Sequence, residues 1–183
     1  MDHDRYSDSY IRAILSGVKT IAVVGASANA ARPSYFVTKY LVERGFEVFP
    51  VNPGQAGKTI AGLPVYARLA DVPVPIDMLD VFRATEHVPA VLAEVLILSP
   101  LPKVFWLQQG VRDDAVAAQA EAAGMQVVMN RCPKIEYGRL SGEIGWTGVN
   151  SRTLSSKRAQ RLGGGVQRLS LSRTPPKPVG EDK

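Results

Sequence analysis

The chain has 183 residues, a hydrophobic fraction of 45% and one cysteine, Cys132. That is enough chain for one domain with a substantial core, and too few thiols for a disulfide framework or a cysteine-cluster metal site. No apolar run approaches the roughly 18 residues of a membrane-spanning helix, and the acidic first ten residues do not read as a secretory leader, so the cytoplasm is the expected compartment.

In chain order, residues 11–19 predict a short leading helix. Thr20-Ile21-Ala22-Val23-Val24 is a nearly continuous apolar run, the pattern of a strand covered by helices on both faces. It ends in Gly25-Ala26-Ser27. After a loop from Ala28 to Arg32, Pro33 marks the first turn of a helix, where its missing N–H would have gone unpaired in any case. Phe36, Val37, Tyr40 and Leu41 are expected to form the buried stripe of that helix and Gly45 to end it. A second strand covers 46–51, closed by Asn52-Pro53-Gly54. Pro50 within it points to an edge position or an early end to pairing. Residues 58–67 read as a short excursion, followed by a helical turn at 69–71. Further strands are predicted over 76–81, 103–107 and 125–129, with helices over 86–98 and 112–123, the second stopped by Gly124.

Strands alternating with helices in this way specify an α/β, Rossmann-like three-layer sandwich with a five-stranded, mainly parallel sheet. Right-handed crossovers bring the strand exits to one edge, gathering residues 25–33, 52–54, 81–83, 108–110 and 130–133. This domain is assigned to residues 1–150.

Residues 151–183 form a basic, Gly/Ser/Pro-rich extension. The formal net charge of +5 originates there, since residues 1–156 hold 15 Lys/Arg against 15 Asp/Glu. With Gly163-Gly164-Gly165 and Thr174-Pro175-Pro176-Lys177-Pro178, the extension has little to bury and is expected to be loose. Solubility is the plain reading of its charge, and contact with nucleic acid or another polyanion the sharper one. No aromatic residue interleaves with the cations of 157–183, so a base-stacking platform is absent.

The first strand exit carries the strongest local signal. Gly25 permits a tight turn, Ala26 leaves room for a ligand, and Ser27 offers a hydroxyl. The helix starting near Pro33 would turn its free N–H groups toward the same place, with Arg32 beside them. The bland alternative is a glycine that only turns the chain, because Gly25-Ala26-Ser27 is not G-x-G-x-x-G. The carboxylate that binds ribose hydroxyls at the end of the second strand in nicotinamide folds is replaced by Asn52, between Val51 and Pro53. Asn52 can bond ribose or adenine and Pro53 can line an adenine slot, or the pair can simply form a turn. At the third exit Phe82 would approach a cofactor and Arg83 a phosphate, with Asp80 structural or orienting Arg83. At the fourth, Gln109 offers a directional hydrogen bond and Gly110 close backbone approach.

No catalytic constellation emerges. His3 lies in a polar terminus and His87 reads as a surface residue. Cys132 follows Arg131, a cation that would lower a thiol pKa, but buried packing is the reading its surroundings favour. The acidic residues show no metal-ligand pattern.

Taken in order, Gly25-Ala26-Ser27, Arg32-Pro33-Ser34-Tyr35, Val51-Asn52-Pro53, Ile76-Asp77, Asp80-Val81-Phe82-Arg83, Trp106-Leu107-Gln108 with Gly110-Val111, and Arg131-Cys132 resemble the small stand-alone CoA-binding proteins. Their domain is similar to the CoA-binding domain of the succinyl-CoA synthetase alpha subunit. The resemblance implies a Rossmann-type fold holding coenzyme A across the carboxyl edge of the sheet. Gly25, Ala26, Ser27, Arg32 and Pro33 would form the phosphate loop. Val51, Asn52 and Pro53 would lie near adenosine, Phe82 and Arg83 on the next loop, and Gln109 and Gly110 beyond it. The synthetase subunit also carries a phosphorylated histidine in a second domain, which has no counterpart here. The resemblance therefore extends to binding and not to ligation.

The expected function is binding of CoA or an acyl-CoA through its adenosine diphosphate part, without chemistry of its own. The alternatives are an NAD(P)-binding oxidoreductase, a regulatory dinucleotide-binding protein, or an interaction protein whose fold holds no nucleotide and whose tail meets a polyanion. A homodimer is compatible with all of these.

Overall fold

The computed structural model describes residues 1–142. The boundary expected at residue 150 and the basic extension lie outside the described residues. Helix α1 (Asp8–Gly17) begins three residues earlier than the sequence pattern suggested, because Ser7 Oγ accepts a hydrogen bond from the Tyr10 N–H and so caps the first turn. Strand β1 (Thr20–Val24) follows, then α2 (Pro33–Glu43) and β2 (Glu47–Val51). A short hairpin of β3 (Thr59–Ile60) and β4 (Leu63–Pro64) occupies the excursion. The chain continues through β5 (Met78–Val81), α3 (Val88–Leu96), β6 (Val104–Leu107), α4 (Asp114–Ala122), β7 (Gln126–Val128) and α5 (Pro133–Ser141).

The main sheet has the order β2-β1-β5-β6-β7, and every neighbouring pair is parallel. The chain steps from β1 outward to β2, then crosses back to the other side of β1 to enter β5. The loops leaving β1 and β5 therefore turn to opposite faces, and the crevice between them is where ligands lie in sheets of this kind.

Side chains alternate strictly across the sheet, as a period of two requires. Ile21, Val23, Met78, Trp106 and Val128 face α1, α2 and α5. Ala22, Val24, Leu79, Val81, Phe105 and Leu107 face α3 and α4. Both faces are covered, so the strands carry few polar residues. Among the described residues no helix is long and apolar enough to cross a membrane.

Pro50 is accommodated because β2 is an edge strand, where a missing N–H breaks no ladder. On that edge the Tyr66 N–H donates to the Pro50 carbonyl at 2.9 Å. The expected stripe of α2 needs correction. The helix buries Ser34, Val37, Thr38 and Leu41, while Phe36 is half in solvent at 50% exposure. With Pro33 as the first helical residue, the i, i+3, i+4, i+7 row facing the sheet starts at Ser34, and two polar side chains lie on it.

Helix α5 was not expected at all. Its sequence, Pro133-Lys134-Ile135-Glu136-Tyr137-Gly138-Arg139-Leu140-Ser141, lacks apolar periodicity. It is delimited by Pro133 at the first turn and by Gly142 at φ +83° after the last.

Candidate functional site at the β1–β5 crevice

Gly25 sits where the exits of β1, β2 and β5 meet. Its N–H donates to the Val51 carbonyl at 2.9 Å, and the Phe82 N–H donates to the Val24 carbonyl at 2.8 Å. Its φ of +82° is left-handed, and a Cβ built on it would lie 2.8 Å from the Phe82 carbonyl oxygen and 2.9 Å from Arg83 Cδ. Both the backbone conformation and the missing space require glycine.

Ala26 is fully buried, and its carbonyl accepts from Asn52 Nδ2 at 2.7 Å, while Asn52 Oδ1 accepts from the Gly54 N–H at 3.0 Å. Both ends of the Asn52 amide thus tie the β2 exit to the β1 exit.

The next three N–H groups each meet a side-chain oxygen. Ser27 N–H donates to Ser34 Oγ at 3.1 Å, Ala28 N–H to Gln55 Oε1 at 2.8 Å, and Asn29 N–H to Ser27 Oγ at 3.2 Å. The free N–H groups expected from the sequence were those of the helix starting at Pro33, whereas these three belong to the loop before it. The donors form a row, but side-chain acceptors cover it. Ser34 is held in the buried face of α2, whereas Gln55 reaches in from the 3₁₀ turn Pro53–Gln55 after β2.

Two arginines flank this turn. Arg32 is the N-cap residue of α2 and makes no side-chain cap bond. Arg83 follows β5, with its stem against Gly25. Both are exposed, and neither has a carboxylate partner among the described residues. Elsewhere Arg68, Lys103, Arg112 and Arg139 each lie within 3 Å of an acidic oxygen.

A cleft of about 160 Å³ opens between these exits and α3, with Val24, Val51, Pro53 and Val91 as its apolar wall and Arg83, His87 and Glu94 as its polar groups. A larger hollow of about 270 Å³, walled by Leu69–Ala70, Val72–Ile76 and Leu98–Pro100, lies at the opposite edge where strands begin, and no charged side chain lines it. His87, Glu94 and Gln55 belong to no motif, and only the fold brings them to the crevice.

Other expected residues fall elsewhere. Phe82 packs with the cluster under α1, α2 and α5, so its ring points away from the cleft and only its backbone approaches Gly25. Gln109 is exposed at the β6 exit, one strand beyond the crevice. Gly110, at φ +81°, donates its N–H to Asn130 Oδ1 at 2.8 Å, and a Cβ built on it would meet no atom within 4 Å.

Asp80 does not orient Arg83, because strand alternation sends residues 80 and 83 to opposite faces. Its Oδ1 accepts from Gln108 Nε2 at 2.7 Å, its Oδ2 has no partner, and the side chain is wholly buried. Burial pushes the carboxyl up to about 8, against the opposing pull of the Gln108 bond. Cys132 lies on the same face. Burial, with the Asp80 charge adding to it, raises its thiol to about 11. The Arg131 side chain lies over the Tyr6 ring and beside Glu136 and does not activate the thiol.

Comparison with known proteins agrees with this geometry. The family described as CoA binding domain matches residues 19–138. The Bacillus subtilis (strain 168) protein YneT, itself uncharacterized, is 35% identical over 131 residues, covering 72% of this chain and 94% of YneT. The ADP-forming acetate–CoA ligase II of Archaeoglobus fulgidus is 33% identical over 78 residues, which span 42% of this chain but only 11% of the ligase. A solved Thermus thermophilus structure, cell-free ID.343, superposes with a TM-score of 0.69 at 41% identity, over 73% of this chain and 98% of its own. The chain belongs to the CoA-binding domain family.

Proposed function

We propose that the protein binds CoA or an acyl-CoA through its adenosine diphosphate part in the β1–β5 crevice, and contributes no chemistry of its own. The observation that carries this reading is that Arg83, its stem against Gly25, and Arg32, at the N-cap of α2 after the same loop, are exposed without carboxylate partners among the described residues, at a sheet edge where small residues let a ligand approach. A guanidinium fork suits phosphate oxygens. The side-chain oxygens of Gln55 and Ser27 then stand in for phosphate oxygens on the Ala28 and Asn29 N–H groups, and a diphosphate displaces them. The cleft of about 160 Å³ is the size of one ring system and takes the adenine. The remainder of the cofactor lies along the surface.

The absence of intrinsic chemistry is supported by Cys132, whose thiol faces away from the cleft.

Titrating the purified protein with CoA, NAD and NADP under identical conditions tests the proposal. CoA is expected to bind much more tightly than either dinucleotide. Equal or tighter binding of NAD or NADP overturns the assignment in favour of a dinucleotide protein. Mass spectrometry of the ligand that copurifies under native conditions identifies the acyl group, if one is carried.

A further inference from the structure

At the edge where the strands begin, opposite the nucleotide crevice, an apolar groove of about 230 Å³ lies between the ends of α1 and α5 and the approach to β2. Leu15 and Leu140 form its floor, Phe46 and Tyr137 its aromatic wall, and Ser16 its rim. Phe46 and Tyr137 meet edge to face, with ring centroids 5.7 Å apart. Arg12 also lines the groove. It donates to the Leu140 carbonyl at 3.3 Å and has no carboxylate partner among the described residues.

The groove stands where the described chain ends. Leu140 and Ser141, two of its lining residues, close α5, and Gly142 at φ +83° turns the chain out of the helix. The sequence then reads Glu143-Ile144-Gly145-Trp146-Thr147-Gly148-Val149, and Trp146 is the only aromatic residue after Tyr137. The family match stops at residue 138, and relatives covered over 94% and 98% of their own length account for only 72% and 73% of this chain. The segment with Ile144, Trp146 and Val149 thus follows the family-matched residues and starts beside an apolar groove.

We propose that this groove is the docking site of the chain's own segment Ile144–Val149, with Trp146 as the anchor between Leu15, Leu140 and the Phe46–Tyr137 pair. Four residues past Gly142 reach at most roughly 14 Å, enough to return over the end of α5 and too few to reach the crevice at the far end of the sheet. An aromatic anchor buries about 150–250 Å² and gains from edge-to-face neighbours. A tether this short keeps its local concentration in about the millimolar range or above. Glu143 supplies the carboxylate that Arg12 lacks. The basic stretch beyond is then held at the edge of the sheet away from CoA, so that a partner of the tail and the nucleotide occupy separate faces.

Fluorescence of the full chain tests this, because its two tryptophans are Trp106, which is wholly buried, and Trp146. The difference between the spectra of the wild type and Trp146→Phe isolates Trp146. Its emission is expected to be blue-shifted and protected from acrylamide. Ser16→Arg, which places a long cation over the groove at a residue bonded only to its own helix, is expected to shift that emission to the red and expose it to quencher while leaving the thermal melt in place. A Trp146 that emits like free indole in the wild type overturns the proposal, as does one indifferent to Ser16→Arg. A blue shift that disappears on dilution, together with a dimer in sedimentation velocity, assigns the groove to a second copy and overturns the intramolecular docking. None of these readouts depends on CoA.

Discussion

Arg32 and Arg83 differ from Arg68, Arg112 and Arg139 by what they lack. A guanidinium at a protein surface is commonly drawn to a nearby carboxylate, yet Arg83, with its stem against Gly25, and Arg32, at the N-cap of α2, have none among the described residues. Replacing Arg32 by Ala is expected to weaken CoA binding by roughly 1–3 kcal/mol, the scale of a lost charge-assisted hydrogen bond, with an unchanged melt because the residue is exposed and makes no cap bond. Calorimetric titration reads this, and unchanged affinity moves the phosphates elsewhere. Asp80 is the opposite kind of residue, a carboxyl with no cation in reach. Its folded-state pKa of about 8 lies above the roughly 3.9 of an unfolded aspartate. The protonated carboxyl therefore contributes stability that is fully present below about pH 4, declines as pH rises, and is gone above about pH 8. Asp80→Asn keeps the acceptor for Gln108 and cannot ionise. Relative to the wild type it is expected to gain roughly 1–3 kcal/mol between about pH 5 and about pH 9. Urea midpoints at both ends of that range check it, and parallel profiles sink the idea. Asp77 does not blur the test. Burial raises its pKa, but the Lys103 ammonium at 2.7 Å and the Lys19 and Thr20 N–H groups overcome this and hold it at about 2, so its contribution is lost only as pH falls below about 4.

At the scale of elements, β1 was legible to the residue, because β-branched Thr20 and four apolar positions running up to Gly25 admit no other element of that length. Pro33 likewise announced the start of α2. Helix α5 was illegible, because a charged residue, Glu136, stands among its few buried positions. Glu136, at 2% exposure, accepts from Arg139 at 2.7 Å and lies 3.8 Å from Arg131, while Arg139 also reaches Asp8 of α1 at 2.8 Å. No hydrophobic period betrays a helix held in this way. Glu136→Gln is expected to destabilise the fold by roughly 1.5–3 kcal/mol, since it leaves two guanidiniums around a neutral group. The exposed pair Arg68–Asp71, screened by solvent, is expected to contribute far less. Denaturant midpoints of Glu136→Gln and Arg68→Ala compare the two, and equal shifts would show that burial of the α5 pair carries no weight. The β3–β4 hairpin escaped the sequence reading for a simpler reason, which is that two-residue strands have no period to detect.

For the whole molecule, charge is segregated along the chain. The balanced portion carries the β1–β5 crevice and the excess cations follow it, so we propose that the boundary near residue 150 separates ligand binding from whatever the tail meets. Removal of residues 157–183 is expected to leave CoA affinity within about 0.5 kcal/mol, as for distant independent sites. Titration of both forms checks this, and a large loss would make the tail part of the nucleotide site. The amino-acid sequence by itself determined the α/β alternation, the edge at which loops gather, and the likeness to CoA-binding domains. These rest on local periodicity and on glycine and proline positions that read the same in any context. Only the tertiary structure decided which of the gathered loops face one another. Strand order set Gly25 against Arg83 and left Gln109 outside. Strand alternation sent Asp80 and Phe82 to the face opposite the cleft. Gln55, His87 and Glu94 came to the crevice through crossovers that no local pattern records.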